Sequence, residues 1–179
     1  MITPDMISPD WERRMDGAWA AFDDLDEARF LQLVEQLTGE LAPDDPVGLF
    51  ERAGSLDAVG RTGQAVPLYR QALAAGLCGS RRRQAVIQLA SSLRELGEAR
   101  ESVTLLTAEL AAGSDELDDA VKAVLALSLA DAGREREAVG IAVGALAAHL
   151  PRYQRSMENY ARLLLEPDPA ADPEADVRS

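Results

Sequence analysis

The sequence predicts an all-α fold, a stack of about nine helices arranged as antiparallel pairs, and three observations carry that prediction. Glycines at 60, 97 and 133 recur at spacings of 37 and 36 residues, each closing an apolar helical pattern and opening a polar turn. Five residues after each comes a small side chain, Ala65, Ser102 or Ala138, which lets a second helix approach the first closely. The composition agrees: 47% of residues are apolar but only 4% aromatic, so the core must be built from Ala, Leu and Val. Such residues suit closely packed helices, and strand formers here rarely alternate with polar residues.

The elements follow in order. Residues 1–9 are expected to be flexible. Residues 10–43 hold two helical patterns, Trp11 to Phe22 and Asp26 to Glu40, read as a divergent first pair. Trp19, Phe22, Phe30, Val34 and Leu37 supply its buried face, and Asp23–Asp24 stand where a turn glycine would be. Asp44–Asp45–Pro46 starts the next helix, with acid near the N-terminus and proline in the first turn. Residues 44–150 then carry three units in one frame. Their first helices hold Leu49–Phe50 to Leu56, Val86 to Leu93 and Leu125–Ala126 to Leu129. Pro151 is expected to open a capping helix over 151–166, with Tyr153, Met157, Tyr160 and Leu164 at i, i+4, i+7 and i+11 as its apolar stripe. Residues 167–179, rich in Pro, Ala and acid, are expected to be disordered.

This frame resembles the tetratricopeptide repeat (TPR) family. Ala65-x3-Tyr69-x2-Ala72 is the nearest match to its signature, and Leu–Ala (Leu89–Ala90, Leu125–Ala126) stands in for Leu–Gly. The leading Trp is absent, the closing Pro appears only as Pro151, and the period exceeds the usual 34 or so residues. The resemblance implies a right-handed superhelical stack, a TPR-like α-solenoid. It also implies a non-catalytic scaffold whose concave surface is lined by the first helix of each pair. The frame then points inward Phe50, Gly54 and Asp57, then Gln84, Ile87, Gln88, Ser91 and Arg94, then Ala123, Leu127 and Asp131. Some family members grip a terminal carboxylate with Lys and Asn at set inward positions. Here those positions hold Phe50, Gly54 and Gln88, so that clamp is not reproduced.

Charge narrows the partners. The sequence has 18 Lys+Arg against 31 Asp+Glu, a net charge of −13, which opposes binding to nucleic acid or anionic lipid. No apolar run approaches the roughly 20 residues of a membrane span, and Met1 to Asp10 lacks the basic and apolar regions of a secretory signal. A cytoplasmic location is expected. Chemistry finds no foothold: His149 is the only histidine and Cys78 the only cysteine, so no disulfide, zinc site, other metal site, cofactor or catalytic set is expected. Paired carboxylates such as Asp23–Asp24 and Asp118–Asp119 read as helix caps, and Gly60 to Gly63 lacks the strand and lysine of a phosphate loop.

The second unit is the most informative about binding. Gln84, Gln88, Ser91 and Glu95 form one polar stripe, opposite a core stripe of Val86, Leu89, Ala90 and Leu93. Amides and hydroxyls can hydrogen-bond an extended peptide backbone. Arg81, Arg82 and Arg83 begin the same helix, and arginine forks pair with carboxylates, so a partner with acidic groups is expected. A solvated helix face, or pairing of the arginines with the chain's own acids, is the plainer alternative. The candidate contact set is Phe50, Asp57, Arg83, Gln84, Ile87, Gln88, Ser91, Arg94 and Leu127. From Ala120 to Ala130 the third unit is apolar nearly all round, as burial on two sides would require. The leading expectation is a scaffold binding a peptide or helix. A homodimer built through the repeat ends or last helix is the first alternative, and a small-molecule-binding or catalytic protein the second.

Overall fold

The computed structural model describes residues 7–167, and these residues form nine α-helices and no strand. Two compact units result, one reaching to Ser92 and the other starting at Leu93. The expected flexible N-terminus and acidic tail lie outside the described residues except at their inner ends, where Ser8 caps the first helix and Pro9 begins it.

The first unit contains α1 (Pro9–Ala20), α2 (Glu27–Thr38), α3 (Pro46–Ala58), α4 (Thr62–Ala74) and most of α5 (Gly79–Glu95). Local chemistry starts each of the first three. Ser8 Oγ accepts from the Trp11 amide at 3.1 Å, Asp26 caps α2 through the Arg29 amide, and Asp45 accepts from both Val47 and Gly48. α2 packs on α1 and α3, and α3 on α4. The core of the first pair is Trp11, Met15, Ala18, Phe30, Val34 and Leu37, and the buried Trp11 indole donates to Leu37 O at 2.8 Å. The first helix ends at Ala20, short of the expected Phe22, because Phe22–Asp24 forms a 3-10 turn. That turn does the work of the missing glycine and sets Phe22 edge-on to Phe30, ring centroids 4.8 Å apart.

The second unit contains the end of α5, then α6 (Ala99–Ala112), α7 (Asp118–Asp131), α8 (Glu135–Ala147) and α9 (Gln154–Leu165). α7 packs on α6 and α8, and α8 on α9. The expected small residues are buried, with Ala65 and Ser102 at 0% exposure and Ala138 at 6%. Ser102 is more than small: its hydroxyl lies 2.7 Å from that of Ser128, which itself donates to Val124 O at 2.8 Å. With the Ser128 proton so committed, Ser102 is the donor between the two.

The marker glycines are left-handed, with φ of +76° at Gly60, +86° at Gly97 and +75° at Gly133. Each carries the same hydrogen bond one residue on: Arg61 N to Leu56 O, Glu98 N to Leu93 O and Arg134 N to Leu129 O, all at 2.8 Å. This is the Schellman closure of a helix end, which satisfies a carbonyl the helix leaves open. Within the three repeat units, the first helix thus passes to the second through one turn used three times, and Gly76 (φ +91°), with Leu77 N bonded to Ala72 O at 3.1 Å, closes α4 in the same way.

Two expectations about the C-terminal part need correction. α9 begins at Gln154 rather than Pro151, after Tyr153 with φ +70°. Its expected stripe is not the buried one: Tyr153 and Tyr160 are 73% and 55% exposed, and Ala161 is the buried residue, with Met157 and Leu164 half-buried beside it. The reason lies on α8. A Cβ on Gly140 would stand 3.2 Å from Ala161 O, and one on Gly144 would stand 3.6 Å from Ala161 Cβ. The helices meet so closely there that only a small residue fits between them, and the tyrosines turn outward. Burial of α7 is also partial. Val121, Leu125, Ala126, Ser128 and Leu129 are buried, whereas Ala123, Leu127 and Ala130 are exposed.

Candidate functional site

The first unit holds a cavity of about 520 Å³ lined by residues of α1, α3 and α5. α3 contributes Phe50, Glu51 and Gly54, one helical turn of a single face. α5 contributes Ser80, Arg81, Gln84 and Gln88, again at helical spacing, and α1 contributes Asp16 and Trp19. Gly54 is required by proximity: a Cβ there would lie 3.3 Å from Trp19 Cζ2 and 3.4 Å from Cη2, so the absent side chain lets the indole cover α3.

The wall is apolar and the floor ionic. Phe50 is 6% exposed, its ring centroid 6.3 Å from that of Tyr69. Trp19 donates its indole N–H to Glu51 Oε2 at 2.8 Å. Arg81 reaches Glu51 Oε1 through Nε at 3.2 Å, and Glu12 through Nη1 and Nη2 at 3.0 and 2.6 Å. Burial raises the Glu51 carboxyl above its ordinary 4.5, against the opposing pull of Trp19 and Arg81, so desolvation outweighs its partners. Beneath the cavity, the Tyr69 hydroxyl donates to Gln88 Oε1 at 2.8 Å, and Ser92 Oγ donates to Asp57 Oδ1 at 2.9 Å. Burial first, then the negative charge of Asp57, pushes Tyr69 far up and keeps it a neutral donor.

Of the sequence-derived contact set, the cavity brings together Phe50, Gln84 and Gln88. Asp57 is engaged with Ser92 and does not line it, and neither do the half-buried Ile87 and Ser91. Arg83 does not line it either: it is 6% exposed, buried on a different face of α5 from Arg81. Two others belong to the second unit, where Arg94 Nη1 pairs with Asp131 at 2.9 Å and Leu127 is 54% exposed. The sequence stripe missed Asp16, Glu51 and Ser80, and it placed Trp19 in the core alone. One signal was legible, a carboxylate directly following the apolar pair Leu49–Phe50 near the start of the first repeat's first helix. Asp16 and Gln84 make no side-chain hydrogen bond or ion pair among the described residues, so both present open polar groups to the cavity.

The isolated reactive residues stand elsewhere. Cys78 is exposed, and the exposed His149 ring sits with Nε2 2.9 Å from Asp119 Oδ2. Among the described residues no group of three or more His, Cys, Asp or Glu side chains is placed to hold a metal ion, and no helix is long and apolar enough to cross a membrane.

Paired helices closed by a repeated glycine turn, with an open cavity lined by the first helices of successive pairs, define a helical-repeat interaction module. The Tetratrico peptide repeat family matches residues 46–164, more than half of the sequence. The chain therefore belongs to the tetratricopeptide repeat family, whose members are typically non-catalytic and generally bind protein partners. The solved structure of the MamA RS-1 ArsTM double mutant superposes with a TM-score of 0.60 at 13% identity, covering 89% of this chain and 97% of that one. At that identity the likeness concerns the fold. No curated protein matches the sequence.

Proposed function

We propose that this chain is a non-catalytic, cytoplasmic scaffold that binds an extended peptide segment of a protein partner in the cavity of its first unit. The observation that carries the reading is the pairing of an aromatic wall, Trp19 and Phe50, with the unengaged amide of Gln84 and the free amide donors of Gln88. Ring faces bury apolar side chains, and amides hydrogen-bond a peptide backbone of any sequence. A partner with acidic groups was expected from Arg81 to Arg83, and two of these arginines are engaged or enclosed within the first unit. Arg81 is occupied by Glu12 and Glu51, and Arg83 is buried.

The test is affinity capture with the wild-type chain and with Gly54→Leu, whose side chain would displace the Trp19 indole from α3 and reshape the cavity. Partners retained by the wild type and lost by a folded Gly54→Leu variant support the reading; identical partner sets refute it. Self-association is the second reading, and the second unit favours it. Val139 and Leu146 expose one face of α8, at 50% and 56%, and Tyr153, Tyr160 and Leu163 stand open on and beside α9. Light scattering across concentrations separates the two readings, since a dimer lost on replacing Leu146 and Tyr160 by serine belongs only to the second.

A further inference from the structure

The cavity of the first unit is not neutral. Asp16, Glu51 and, through Arg81, Glu12 set three carboxylates against one guanidinium, within a chain of net charge −13. Arg81 has no edge left for an incoming acid. Its Nη1–Nη2 edge is taken by Glu12 at 3.0 and 2.6 Å, and its Nε by Glu51 at 3.2 Å. Asp16 is exposed and engages no group among the described residues. Next to it stands the half-buried Trp19 indole, an aromatic surface of the kind that attracts cations. Gln84 can turn its carbonyl oxygen toward a donor.

We propose that the cavity receives the guanidinium or ammonium group of a basic residue in the partner peptide, held by Asp16, the Trp19 ring and the Gln84 carbonyl. The proposal rests on the peptide-binding reading above and assigns the chemistry of its ligand. A carboxylate entering the same space meets Asp16 and Glu51 with no uncommitted cation to pair with. A basic group brings the charge that the excess carboxylates lack, and it offsets the desolvation that already disfavours ionised Glu51.

The experiment is selection from a displayed library of random dodecapeptides on the full chain, with the Gly54→Leu chain as the subtracting bait. Where Gly54→Leu does not give the wild-type circular dichroism spectrum, Ser80→Trp, at an exposed lining position, replaces it. Peptides retained by the wild type alone should be enriched in Arg and Lys. The best of them, titrated by tryptophan fluorescence, should bind Asp16→Asn about fivefold more weakly and should weaken further as salt rises. Enrichment in Asp and Glu, no charge preference, or an unchanged affinity for Asp16→Asn overturns the basic ligand while leaving the groove intact. No peptide held better by the wild type than by the blocked chain overturns the groove reading, and the inference with it.

Discussion

Alanine at Gly97 should destabilise the protein by about 1 kcal/mol, while alanine at Gly17 should stabilise it by about 0.5–1 kcal/mol. The two substitutions add the same methyl group to equally open space, because a Cβ at either position meets no atom within 4 Å. They differ in backbone. Gly97 has φ +86° and closes α5, its own amide bonded to Arg94 O at 3.0 Å and that of Glu98 to Leu93 O at 2.8 Å. An L-residue in that region costs roughly 1–2 kcal/mol, and the stiffer unfolded chain returns about 0.4–1 kcal/mol, leaving a net loss near 1 kcal/mol. Gly17 lies inside α1, where alanine is the better helix former. Urea unfolding followed by circular dichroism measures both, and the expected thermal shifts are about 2–4 °C per kcal/mol in opposite directions. Gly97→Asn should recover part of the loss, since asparagine tolerates the left-handed region. Shifts of the same sign for Gly97→Ala and Gly17→Ala would falsify the reasoning, because the turn would then owe nothing to its backbone conformation.

Further outcomes follow from single contacts. Gly140→Ala places a Cβ 2.9 Å from Leu165 Cδ2 and 3.2 Å from Ala161 O, so it should loosen α9 at a cost of about 1–3 kcal/mol, read as faster proteolysis within 154–165; Leu165→Ala in the same chain should recover part of it. Ser128→Ala removes the acceptor of the buried Ser102 hydroxyl and should cost about 1–3 kcal/mol, whereas Ser102→Ala leaves Ser128 bonded to Val124 O and should cost less than about 1 kcal/mol; equal losses in urea unfolding would rule out the assigned direction of that bond. Glu51 has its folded pKa raised from 4.5, so the folded state holds the proton more tightly and the contribution of Glu51 to stability falls as pH rises from 4.5 through the folded value. The melting temperature of wild type relative to Glu51→Gln should therefore decline over that window, and a rise would contradict the burial of the carboxylate.

Much of the fold was legible because its signals are local. The glycines at 60, 97 and 133 announce left-handed turns, and Asp26 and Asp45 stand at helix starts, each through a bond within three residues, whereas Ser8, which caps α1, fell in a stretch expected to be flexible. The site was legible only along single helices. Gln84 and Gln88 share a stripe of α5 and do line the cavity, but the same stripe offered Ser91 and the repeat frame offered Ile87, which do not. Arg83 shows the limit most clearly. A run of three arginines looks uniform in sequence, yet consecutive helical residues point about 100° apart, so Arg81 enters the cavity while Arg83 is buried.

Helix pairing, the turns and the small residues at the crossings were determined by the sequence alone, since each depends on backbone preference or side-chain size within one repeat. Which side chains line the cavity was decided by tertiary structure. Glu12 and Arg81, 69 residues apart, meet only when α1 and α5 are brought together, and that meeting engages one of the three arginines on which an acidic partner was expected. Ala161, rather than the tyrosines, seats α9 because Gly140 and Gly144 bring the helix backbones close, a distance no periodicity in α9 encodes. Periodicity specifies which residues share a face; only packing specifies what that face meets.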